Sequence, residues 1–107
     1  LTSLNTGHDG GWATIHANGA ADVPARLAAL GALAGMSDSA LAAQACAGLD
    51  AVFHMRRAPS GRRWVAEVGV LTRAGGTLAC VPALRATVDG RVAEHEAWAD
   101  LAAKVGL

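Results

Sequence analysis

The chain has no tyrosine, one phenylalanine and a single lysine, Lys104. The shortage of lysine excludes most. A phosphate-binding loop of the GxxxxGK[ST] type needs a lysine to reach the β- and γ-phosphates. Lys104 lies between Ala103 and Val105 and does not stand in that pattern. No apolar strand ends in a pair of acidic residues that would hold a nucleotide's magnesium ion either. Net charge is also missing: nine Lys plus Arg balance nine Asp plus Glu. A dedicated nucleic-acid module needs an excess of basic residues to displace counterions, so that class is excluded. No apolar run is long enough to span a bilayer. The two cysteines, Cys46 and Cys80, are isolated with no CxxC pair, and two free structural thiols are expected.

What is present suits one small globular domain over residues 1–107. Hydrophobic residues make up 52% and charged residues 17%, too apolar for a disordered chain. At this length folding buries roughly two thirds of the surface the unfolded chain exposes. The opening LTSLNTG has no basic or apolar leader region and does not read as a signal peptide. With no Met at position 1, the chain is expected to begin inside a larger protein.

The order of elements points to an α/β fold. WATIHA, residues 12–17, reads as a short strand with Trp12, Thr14 and His16 on one face. Asn18-Gly19 breaks it. A helix follows to about Gly35, capped by Gly19 or by Asp22, with Leu27, Leu30 and Ala34 toward the core. A second helix starts after Ser37 or Asp38 and ends near Gly48, burying Leu41 and Ala45. LDAVFHMRR and RRWVAEVGVL read as two strands around the turn APSG, the second with Trp64, Ala66, Val68 and Val70 on one face and Arg63 and Glu67 on the other. TLACV is a third strand, stopped by Pro82. From about Ala93 the pattern is helical, with Ala97, Leu101 and Val105 on one face beside Trp98.

The stretch TGHDGGWATIHAN, Thr6 to Asn18, carries the chemistry. A histidine at the carboxyl end of a strand is where α/β sheets hold ligands, and its imidazole can donate to a phosphate oxygen. His16 fits that description. Thr14 lies on the same face with a hydroxyl to orient water or phosphate. Asp9, beside His8, can fix that imidazole's tautomer or favour its charged form. A metal reading is also open, since His8, Asp9 and His16 are ligand types, but their spacing matches no zinc signature. A third option is that each histidine is locally bonded and inert.

LNTGHDGGWATIHANGAADVPARL, Leu4 to Leu27, closely resembles the histidine box of the type II/IV secretion ATPases, in the Flp-pilus (tad) assembly and conjugal-transfer branch. LAGMSDSALAAQACAGLDAVFHMRR and GRRWVAEVGVL resemble the stretches that follow. The likeness covers about the first two thirds of the chain. It implies a partial RecA-like P-loop NTPase domain: the C-terminal portion of a motor, without the P-loop and Walker B elements, with one strand and two helices before an antiparallel meander and a final helix. It also implies a cytoplasmic hexamer, peripheral to the inner membrane, that uses ATP and Mg²⁺ to drive pilus assembly or secretion and docks on platform proteins there. In that family the second histidine lies near the γ-phosphate, which maps to His16. The first maps to His8, and the acidic residue after it to Asp9; Asp9 and Thr14 are the expected nucleotide-binding side chains beside the two histidines. Arg26 and Leu27 match the family's Arg-Leu-Glu, but Ala28 replaces the acid, and Gly19 stands where Ser is usual. The chain alone is expected neither to bind ATP tightly nor to turn it over.

A different reading is a non-catalytic α/β interaction domain with a vestigial histidine box. Arg56, Arg57, Arg62 and Arg63 surround one turn and read as solvated hairpin arginines, or as a patch for anionic lipid, nucleic acid or a neighbouring subunit. His54 reads as a satisfied or edge histidine and His95 as exposed. Trp12, Trp64 and Trp98 read as core or interface anchors. Apolar surface left uncovered by a missing motor half predicts self-association.

Overall fold

The computed structural model describes residues 14–106. A 3₁₀ turn, Ala20–Asp22, leads into helix α1, Val23–Leu33, and helix α2, Asp38–Gly48. Strands β1 (Val52–Arg57), β2 (Arg63–Ala74), β3 (Thr77–Ala86) and β4 (Val92–Glu94) follow, and α3, Trp98–Lys104, closes the chain. The strands form one antiparallel sheet in sequence order. This is the expected α/β class, with helices on a meander.

Local chemistry explains the starts and turns. Asp22 takes the N-cap position of α1 and Pro24 falls in its first turn, where a missing N–H costs nothing. Ser37 caps α2 by accepting from the Ala40 amide at 3.1 Å. Gly75 and Gly76 join β2 to β3 in a two-residue turn with φ of 59° and 85°, a pair that glycine adopts without strain.

The sheet is covered on both faces. On one, Leu71 and Leu78 meet Ala42 and Ala45 of α2, with Leu27, Cys46, Leu49, Val52 and Cys80 around them. On the other, Ala83 meets Ala97 and Leu101, flanked by Val68, Val70, Val81 and Trp98. Val70 and Leu71 are chain neighbours in β2, so they point to opposite faces.

Several expectations are corrected. Thr14 to Ala17, the described part of WATIHA, form no strand and pair with none of the strands among the described residues. In α1 the buried residues are Val23, Pro24 and Gly31, whereas Leu30 is 48% exposed and Ala34 is at the surface. Pro82 does not stop β3. Its carbonyl accepts from the Ala97 amide, on a side where no strand pairs with it, so no ladder bond needs the proline's missing N–H. Ala83, next to it, is the extra residue of a β-bulge against Val68 and Gly69. A second bulge at Ala66, between the His54 and Met55 pairings, interrupts the regular alternation expected along β2. Residues 92–94 form β4 rather than helix, and Val105 is 55% exposed.

Candidate functional site

The described end of the histidine stretch precedes the 3₁₀ turn and alternates exposed and half-buried residues. Thr14 and His16 are both exposed, so neither is walled into a core. His8 and Asp9, read with them, lie outside the described residues, as does Trp12. Among the described residues no three His, Cys, Asp or Glu side chains gather to hold a metal ion.

Four residues after His16, the chain is fastened down. Ala20 is 4% exposed, and its amide donates to Oε1 of Glu67 at 3.4 Å. The 3₁₀ turn closes with Asp22 N–H to Gly19 O at 3.1 Å. Gly69 lies near this turn: a Cβ there would stand 3.8 Å from Ala20 Cβ, an ordinary contact, but 2.5 Å from Cys80 Sγ, a clash.

Glu67 is flanked from both neighbouring strands and bonded from one. In register it lies between His54 on β1 and Arg85 on β3. Arg85 Nε donates to its Oε2 at 3.2 Å. His54 Nδ1 stands 3.9 Å from its Oε1, buried and without a hydrogen-bond partner. The carboxylate side chain is 18% exposed and Arg85 54%. Burial, with the Glu67 charge as a smaller second cause, pushes the Cys80 thiol above its ordinary range. Cys46 and Cys80 are free thiols, each half-buried rather than fully buried.

The sequence pattern placed Glu67 on a mixed face and assigned it no role. A lone acid between apolar residues in AEVGV was the available signal, but its partners Ala20, His54 and Arg85 come from three other elements. His54 sits on an edge strand as expected but is not satisfied, and His95 is half-buried rather than exposed. Trp64 is an anchor, its indole N–H donating to the Ala86 carbonyl at 3.2 Å. No described helix is long and apolar enough to cross a membrane.

For a whole magnesium nucleotide these residues do not suffice. The described surface near His16 supplies one imidazole and one hydroxyl. The chain has no P-loop lysine to neutralise a phosphate chain. As donors to one terminal phosphate group held by other polypeptide, Thr14 and His16 are of the right chemistry.

Comparison with known proteins bears on the same stretch. The family model described as "Type II/IV secretion system protein" matches residues 1–99. Two relatives from Mycobacterium tuberculosis, strains CDC 1551 / Oshkosh and ATCC 25618 / H37Rv, each carry the name "Putative conjugal transfer protein". Each is 47% identical over 81 residues, which is 76% of this chain and 23% of the relative. The chain thus spans about a quarter of the length of the curated relatives it matches. No solved structure matches it significantly. The described fold accords with part of a RecA-like domain, and the chain belongs to the type II/IV secretion system protein family.

Proposed function

We propose that this chain is the phosphate-facing C-terminal part of a secretion or conjugation ATPase, in which His16 donates to the terminal phosphate and Thr14 orients that phosphate or a water. His8 and Asp9 act beside them. The nucleotide and its Mg²⁺ are held by a P-loop half outside this chain, within a cytoplasmic hexamer docked on inner-membrane platform proteins. One observation carries the proposal: in a chain of the secretion family, the Thr14–His16 tip is exposed, and the turn after it is seated on a covered sheet. An exposed tip on a fixed base is what a contact to an externally held phosphate requires.

The test is ATP turnover by the complete motor. His16→Ala lowers kcat by about a hundredfold, the cost of losing one preorganised donor to a developing charge. ATP binding, held elsewhere, stays. Unchanged turnover in His16→Ala refutes the assignment.

A second reading, a non-catalytic interaction domain, is favoured by exposed apolar side chains on β1, β2 and β4. Phe53 is 49%, Met55 51%, Val65 39% and Val92 62% exposed. A shallow, almost wholly apolar cavity of about 200 Å³ opens beside Val65, Leu84 and Val92. The same uncovered apolar surface predicts self-association of the chain at high concentration, which light scattering detects.

A further inference from the structure

We infer that Glu67 is a positioning residue that sets where the His16 imidazole projects; this rests on the proposal that His16 faces a phosphate. The distance along the chain makes it effective. From His16 to Ala20 is four residues, a reach of roughly 14 Å when fully extended. Fixing the Ala20 end therefore sets where this short segment starts and limits how far the imidazole can range. Gly19, the residue before the anchor, is extended, with φ −175° and ψ 171°.

The anchor is the Ala20 amide on Glu67 Oε1 at 3.4 Å. Arg85 fixes the same carboxylate through Oε2 at 3.2 Å, and His54 flanks Oε1 at 3.9 Å without a hydrogen bond. A carboxylate bonded by Arg85 through one oxygen presents the other to the turn. The turn is seated on the sheet, with Ala20 4% exposed. Stability alone does not call for this arrangement. Taking a carboxylate largely out of water is costly. Glu67 instead does something an apolar residue cannot: it accepts from the backbone amide at the base of the tip.

Amide exchange measured by NMR on the 107-residue chain separates positioning from general stability. In Glu67→Ala the Ala20 amide exchanges about tenfold faster or more, while Leu71 and Cys80 in the β2–β3 ladder keep their rates. Glu67→Gln, which retains a carbonyl acceptor, stays near the wild-type rate. Equal acceleration at Ala20 and in the ladder, or none at Ala20, overturns the inference. If Glu67→Ala fails to fold, Arg85→Ala, which frees the carboxylate without removing it, gives the same decision through the same amides. In the complete motor, Glu67→Ala lowers kcat about tenfold or more with KM for ATP little changed, and Glu67→Gln restores kcat. Retained kcat in Glu67→Ala, when His16→Ala has lost it, overturns the positioning role. Retained turnover in His16→Ala overturns the phosphate assignment instead, and the inference with it; the Ala20 exchange then reports a structural anchor alone.

Discussion

Gly69 and Cys80 are fitted to each other across β2 and β3: a Cβ on Gly69 would stand 2.5 Å from the Cys80 sulfur and 3.4 Å from the Val81 carbonyl oxygen. Gly69→Ala must therefore displace the thiol, and overpacking of this kind costs about 1–3 kcal/mol. Replacing the thiol by a methyl relieves the clash, so Gly69→Ala in a Cys80→Ala background costs clearly less. A denaturant-midpoint double-mutant cycle checks this. Additive losses contradict the described contact.

Gly19 is extended and its virtual Cβ lies 3.7 Å from Glu67 Oε1. Serine, the residue usual there in the histidine box, meets no strain and brings a hydroxyl within reach of the carboxylate. Gly19→Ser is expected to stabilise the chain by about 0.5–1.5 kcal/mol, the net worth of one added hydrogen bond. The gain disappears when Glu67 is alanine. Thermal unfolding of the four variants reads both effects.

Ser37 is a cap whose side chain accepts from the Ala40 amide at 3.1 Å. Ser37→Ala is expected to cost about 1 kcal/mol and Ser37→Gly only a few tenths, because glycine leaves the amide open to water. Equal costs by chemical denaturation contradict a capping role.

What was legible in the sequence was local. Ser37 ahead of ALAAQA announces a helix start, and Gly75-Gly76 between two apolar runs announces a tight hairpin. Leu41 and Ala45 follow the helical repeat into the core. What was illegible depends on neighbours distant in sequence. Leu30 matches the helical repeat as well as Leu27 does, yet the covered face runs through Val23, Leu27 and Gly31, the last packed against Leu41 of α2. Pro82 looks like a strand end until the bulge at Ala83 and the Ala97 amide are known. At the candidate site, His16 and Thr14 were recognisable by family likeness. Their base was not, since Ala20, Glu67 and Arg85 meet only when three segments fold together.

Arg57 and Arg63 are direct partners in the β1–β2 register, both exposed. Like charges placed opposite each other destabilise a strand pair by a few tenths of a kcal/mol. Arg63→Glu is expected to recover about that much or slightly more, and the gain should shrink at high salt as screening weakens both repulsion and attraction. Urea titrations at low and high ionic strength check the sign. If the variant is less stable at low salt, the two guanidiniums are not repelling each other.

The half-buried Cys80 thiol makes stability depend on alkaline pH. Its pKa is raised above the ordinary value of 9.0, first by burial and then by the Glu67 charge. The folded chain therefore holds the proton more tightly than the unfolded chain. The unfolded thiol ionises first, so stability is fully present below about pH 9 and falls as pH rises through and beyond the folded value. Cys80→Ala removes this contribution. The wild type is expected to lose more stability than Cys80→Ala between neutral pH and the region above the thiol's ordinary range, and its thiol to react slowly with iodoacetamide at neutral pH, because only the thiolate attacks. Parallel pH–stability curves for the two proteins would show that burial does not hold the proton.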